Sequence, residues 1–356
     1  FDKNNPNNYF QPIWESFTIT NLPDGQEEVS LGVEDSLKLD FYLYKKETNT
    51  TITKTMVFYG NKYTTAYKID SQNLSQKNDL GISWVGGLRT TEKGQYEDGN
   101  SNSSFGMVPY EEGLISGEDT EIISIGEEPL IMNNNVKWTA IKNKYFISAF
   151  LMNQQNGTAQ TTSGTMNIGP LKNLPIFNTT LTASTNHLSG LLYLGPLDIN
   201  YIKQLPWNLD PAMNFGWAPV RPFSKLVLSV LKFLYQTLQI NYGLILILFA
   251  FLIRFITGPL TKKSFLSQQK MQALQPKIKT MNEKYKDDPK RQQRALIELY
   301  REKGVNPVGG CLPMLLQMPL LFALFTVFRS TIEFRGASFM LWITDLSQPD
   351  YILDLP

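Results

Sequence analysis

Arg254 is the residue whose type and setting most need a chemical explanation: it lies in the apolar run Leu244 to Ile256. A charge near the centre of a bilayer costs about 2.5–3.5 kcal/mol on insertion scales, so such groups face water, a partner or a substrate. Gln317 poses the same question in a second apolar run, Leu312 to Phe328, because an amide in hydrocarbon needs a hydrogen-bonding partner or water. Two readings stand open for each. Arg254 either snorkels to the nearer headgroups or points into a water-filled recess. Gln317 either bonds a neighbouring helix, a contact worth about 0.6–2 kcal/mol, or lines the same recess. Other reactive groups are sparse. One histidine (His187) rules out a multi-histidine metal site, and one cysteine (Cys311) rules out an internal disulfide. Cys311 follows Gly309-Gly310 and reads as a packing residue, while Glu111-Glu112 and Glu127-Glu128 read as solvated edges. No catalytic residue, cofactor or metal is expected.

The surrounding elements must then position Arg254 and Gln317. Before Val220 the chain carries 15 Lys+Arg against 23 Asp+Glu, and after it 18 against 9, so the formal charge of +1 is a cancellation of unlike halves. Residues 1–208 read as β: Leu37 to Tyr44, Thr51 to Tyr59, Val136 to Ile141 and Tyr145 to Leu151 are alternating or β-branched runs between Asn/Gly/Ser loops. Many short strands predict an antiparallel β-sandwich that acts as a binding or spacing module.

Residues 209–240 hold a linker and an amphipathic helix. Its polar residues Lys225, Ser229, Lys232 and Gln236 recur every three or four positions, so they share one face of an otherwise apolar helix. That pattern fits an element lying in a membrane interface. A transmembrane helix is expected over 241–260, ended by Gly258-Pro259. Residues 261–306 follow as a basic helical hairpin, in which Lys262, Lys263, Lys270, Lys277, Lys284, Arg291 and Arg294 are the candidate contact residues. Met271, Leu274, Ile278, Met281 and Tyr285 make one apolar seam, with Pro276 expected to bend or divide the helix. Leu296, Leu299 and Tyr300 continue a second seam. Asp288 is placed as an N-cap, Pro289 as the first helical residue and Gly304 as the stop. A second span is expected over 307–329, then a loop and the start of a further span over 330–356. Basic residues between two spans orient both of those ends to the cytoplasm and put the acidic β domain on the far side.

The C-terminal motifs carry a resemblance. Arg254 with Gly258-Pro-Leu-Thr-Lys262, Leu274-Gln-Pro-Lys277, Asn306 to Pro319 and Phe339 to Ser347 resemble the YidC/Oxa1/Alb3 membrane protein insertases. Trp138 to Phe146 and Leu192 to Pro196 resemble the large periplasmic domain of the Gram-negative YidC type. The resemblance implies a multi-domain inner-membrane protein. It also implies five core spans, of which this chain would hold two, and a leading span outside it, as for a chain cut from a longer protein. Arg254 and Gln317 would line a hydrophilic groove open to cytosol and lipid. Nascent membrane proteins, the Sec translocon, the lipid bilayer and, through the basic hairpin, the translating ribosome would be partners. Two other classes are weighed beside it: a membrane channel or transporter, which predicts broken helices or repeats, and a membrane-tethered periplasmic carbohydrate-binding or carbohydrate-active protein, which predicts paired acids in a cleft.

Overall fold

The computed structural model describes residues 16–22, 28–73, 80–88, 112–116, 120–123, 129–132, 136–153, 162–171, 174–183, 185–286, 288–304, 312–339 and 343–347. It divides into two compact units, Phe1–Met213 and Asn214–Pro356. Glu111, Glu127, Glu128 and Cys311 lie outside the described residues, as does part of the Asn306 to Pro319 motif; Glu112 is described only in its backbone.

The first unit is antiparallel β. Its strands begin with β1 (Thr18–Ile19), β2 (Ser36–Lys45), β3 (Thr50–Tyr59), β4 (Thr64–Gln72), β5 (Leu80–Trp84), β6 (Glu112–Ser116) and β7 (Thr120–Ile123). They continue with β8 (Leu130–Met132), β9 (Trp138–Lys142), β10 (Phe146–Met152), β11 (Thr162–Leu171), β12 (Leu174–Ala183) and β13 (His187–Pro196). A nine-stranded sheet has the order β1-β2-β3-β4-β13-β10-β9-β6-β7, and a four-stranded sheet the order β5-β12-β11-β8. The two share one core: Ile69, Ile141 and Phe150 from the first sheet cluster with Leu80, Phe177 and Leu181 from the second.

Two strand chemistries build this unit. β2 alternates Leu37, Leu39, Phe41 and Leu43 with Lys38, Asp40, Tyr42 and Tyr44. A period of two sends one set to the core and fixes the register, in which Leu43 faces Ile52 on β3. β9 is different: Trp138, Thr139, Ala140, Ile141 and Lys142 are all buried. A central strand covered on both faces loses the alternation. The segment after β13, including the short helix α1 (Ile199–Ile202), closes on this hairpin. There Trp207 Nε1 donates to the Met152 carbonyl at 2.6 Å, and Lys142 Nζ donates to the Ala212 carbonyl at 2.9 Å. The β9–β10 turn is set by Asn143, whose Oδ1 accepts from the amides of Tyr145 and Phe146.

The second unit is helical: α2 (Arg221–Leu238), α3 (Tyr242–Lys284), α4 (Pro289–Glu302) and α5 (Leu312–Ser330). α2 has Pro222 in its first turn and ends at Gln239 in the left-handed region, φ 52°. α3 starts at Asn241, whose Oδ1 accepts from the Gly243 amide at 2.8 Å.

The apolar segment ends at Pro259 as expected, but the helix does not stop there, and of the two outcomes expected at Pro276 division is excluded: both prolines lie inside one 43-residue helix. Proline removes one backbone donor and crowds the carbonyl four residues back, yet its fixed φ is helical, so bonds on either side carry the helix through. The polar stripe of α2 is not uniformly exposed. Lys225, Ser229 and Gln236 are exposed, but Lys232 is turned inward against Glu333.

Candidate functional site

Arg254 sits in the thirteenth position of α3, within the segment Tyr242–Pro259, which is long and apolar enough to cross a membrane at mean hydropathy 1.9. Only 22% of that segment is buried, whereas the core helix of a soluble domain would be mostly covered. Phe251, Phe255 and Ile256 project outward at 68%, 82% and 61% exposure. Arg254 is exposed as well, and among the described residues no acidic group pairs with it. Lys262 lies eight residues further on, about 12 Å along the axis at 1.5 Å per residue. The backbone of Arg254 therefore lies well inside the level marked by the first lysines.

Gln317 is on α5 and is also exposed. α5 packs its Ala323 and Val327 inward while Leu321, Phe322, Phe325 and Phe328 project outward. Helices α3 and α5 touch within the unit, but Arg254 and Gln317 share no hydrogen bond among the described residues.

A buried or half-buried seam runs the whole length of α3: Tyr242, Ile245, Phe249, Ile253, Thr257, Thr261, Ser264, Ser267, Met271, Leu274, Ile278, Met281 and Tyr285. Within it, the hydroxyls of Thr257 and Thr261 bond back to the carbonyls of Ile253 and Thr257 at 2.8 and 2.9 Å. The sequence reading found the last part of this seam, Met271 to Tyr285. The hydroxyl part of the seam, one turn beyond Arg254, keeps the same three-and-four spacing, but reading only apolar residues hides it.

From Ser264 onward the seam keeps a strict seven-residue repeat. One flank carries Lys263, Lys270, Lys277 and Lys284, seven apart, and the other carries Gln268, Gln275 and Asn282. The amide flank meets the partner helix, where Gln292 Nε2 donates to Asn282 Oδ1 at 2.8 Å. The local chemistry of α4 is as expected: Asp288 Oδ1 accepts from the Arg291 amide at 3.1 Å, Pro289 opens the helix, and Gly304 ends it at φ 62°. Lys262, Lys263, Lys270, Lys277, Lys284, Arg291 and Arg294 are all exposed. Successive lysines of the flank lie about 10.5 Å apart along the axis, beyond the ~8 Å screening length of physiological salt, so they repel one another little. Glu302 has its pKa lowered by the bond and charge of Lys303, with Lys277 adding a smaller attraction from α3.

The extent of the helix completes the geometry. Forty-three residues measure about 64 Å, roughly twice the ~30 Å hydrocarbon thickness of a bilayer. If the apolar segment lies in lipid, the lysine-bearing half must stand out of it.

Comparison with known proteins matches two family descriptions to successive parts of the chain. The family description YidC periplasmic domain matches residues 24–226, and 60Kd inner membrane protein matches residues 233–356. Membrane protein insertase YidC of Prosthecochloris aestuarii is 36% identical over 337 residues, covering 92% of this chain and 56% of the relative. The protein of the same name from Chlorobium limicola is 40% identical over 310 residues, covering 83% and 51%. That from Chlorobaculum tepidum is 36% identical over 347 residues, covering 94% and 55%. The chain thus spans about half the length of the curated relatives it matches. The galactosidase domain of alpha-galactosidase-sucrose kinase, AgaSK, is similar at 9% identity and TM-score 0.33, over 53% of this chain and 28% of that one. A likeness at that level carries no argument.

Proposed function

The chain belongs to the YidC family of membrane proteins, and from that premise we propose that it works as a membrane protein insertase and folding chaperone in a bacterial inner membrane. The β unit lies in the periplasm and α2 lies in the outer interface. α3 and α5 cross the bilayer, and the α3–α4 hairpin stands in the cytoplasm. Lysines between the two crossings support that orientation.

The observation that carries the reading is Arg254: an exposed cation without an ion-pair partner among the described residues, on a helix otherwise suited to lipid. In the mechanism, a nascent segment meets the basic hairpin and then lodges its polar flank in a hydrophilic groove. There Arg254 attracts acidic groups, and Gln317 supplies a donor and an acceptor. The apolar part moves sideways into lipid along Phe251, Phe255, Leu321 and Phe325.

The magnitudes decide what the protein has to contribute. Each fully buried large apolar side chain contributes about 1.5–3 kcal/mol, and one charge at mid-bilayer costs about 2.5–3.5 kcal/mol. A handful of apolar residues therefore outweighs one polar group. Insertion is favourable overall, and the task is to lower the barrier for the polar tail, which needs no covalent step. Nascent membrane proteins are the substrates in this reading, with the Sec translocon and the translating ribosome as partners. The ribosome proposal rests on the exposed lysine flank, since such surfaces bind phosphate without sequence preference.

The test is reconstitution. Liposomes containing the full-length protein should insert a single-span client with an acidic tail faster than empty liposomes, and Arg254→Ala should slow that client more than one with a neutral tail. Equal insertion with and without the protein sinks the reading.

A further inference from the structure

We propose that Lys232 and Glu333 form a latch that seals the extracytoplasmic ends of α3 and α5. Lys232 Nζ lies 2.6 Å from Glu333 Oε1, and the two side chains are only 12% and 10% exposed. On the same helix Leu226 and Phe233 are 60% and 65% exposed. A helix facing water would carry the opposite polarity. α2 turns Lys232 inward and Leu226 and Phe233 outward, while Lys225 stays exposed.

The segment joined to α2 by this pair is pinned at further points within the unit. Tyr235 of α2 stacks on Tyr242 of α3 with ring centroids 4.3 Å apart. Tyr242 meets Phe334 edge-on at 5.7 Å, and Phe334 meets Phe328 of α5 at 5.2 Å. Asn241 Nδ2 donates to the Phe339 carbonyl at 3.2 Å. Residues 331–339 thus form a strap across the start of α3 and the end of α5. Among these contacts, the ion pair is the one whose loss leaves a bare charge, that of Glu333, whose side chain is 10% exposed. Neutralising Lys232 strands Glu333 in a dry site, which costs more than never having had the pair. The stranded group must reach water, and α2 or the strap must move to let it. Closed, the seal leaves a polar segment held near Arg254 no exit except sideways into lipid or back to the hairpin side. That consequence rests on the insertase reading; the latch itself does not.

The test is a distance between spin labels at Gln236 and Ser338, both exposed, in the full chain carrying Cys311→Ser, in liposomes without client. Lys232→Met and Lys232→Leu should each at least double the width of the distance distribution. Lys232→Arg should keep the original width, and the exchange Lys232→Glu with Glu333→Lys should narrow it again. Unchanged widths in both neutral variants, or an exchange as broad as they are, overturn the latch. Because no client is present, failure of insertion in the reconstitution assay leaves this result standing, and the converse also holds.

Discussion

The ring of Phe339 occupies the space that any side chain at position 243 would need: a Cβ built on Gly243 would fall 1.8 Å from it. The first turn of α3 therefore accepts the strap only because it has glycine there. Gly243→Ala forces the ring or the strap to shift, and overpacking of this kind costs about 1–3 kcal/mol. Asn241→Ala removes the cap of α3 together with the bond to Phe339, with an expected loss of about 1 kcal/mol for the cap alone. Thermal unfolding of the detergent-solubilised protein should show both variants less stable, with Gly243→Ala the larger effect.

The hairpin gives a local prediction. Asp288→Ala leaves the Arg291 amide without its acceptor and should destabilise α4 by about 1 kcal/mol. Hydrogen exchange of the first-turn amides of α4 should then quicken by about fivefold, while α3 before Pro259 is unaffected.

Acid should weaken the β unit through Asp70. Burial pushes its pKa up, but hydrogen bonds and charge from His187 at 2.6 Å and Lys68 at 3.1 Å outweigh that and hold it below the ordinary 3.8. The unfolded chain takes up the proton more readily, so this stabilisation is present above about pH 4 and lost as pH falls through the lower folded value. The pair is half-exposed, so an effect of about 0.2–1 kcal/mol is expected. Asp70→Asn should differ most from the parent near neutral pH, with the gap closing below about pH 4; denaturant titrations across that range measure it.

Much of this was legible from local chemistry. Leu37 to Tyr44 and Thr51 to Tyr59 read as strands because alternation is a property of neighbours, and the structure forms β2 and β3 over Ser36–Lys45 and Thr50–Tyr59. Asp288, Pro289 and Gly304 read correctly for the same reason. Lys232 was misread. A polar stripe on an apolar helix looks the same whether it meets water or folds inward, and its partner Glu333 lies on a distant segment. Gly258-Pro259 marks the end of the apolar segment but not of the helix: proline's penalty is local, and a long helix with bonds on both sides absorbs it. Strand order was not legible at all, because the pairing of His187 with Asp70 across β13 and β4 is fixed by the whole core.

The lysine flank makes a separable prediction. Changing Lys263, Lys270, Lys277 and Lys284 together to Gln should leave helix content and melting unchanged, because all four are exposed. If ribosomal RNA is met through this flank, the salt dependence of ribosome association should flatten by about three units in the slope of log K against log salt.

The central claim is that a nascent chain passes the polar groups of α3 and α5, and site-specific photo-crosslinking from Arg254 and Gln317 to stalled nascent membrane proteins tests it most directly. The account predicts adducts from both positions, with few or none from the outward-facing controls Phe255 and Leu321 early in insertion and more from those controls later. Adducts from the controls while positions 254 and 317 capture nothing at any nascent-chain length would contradict it.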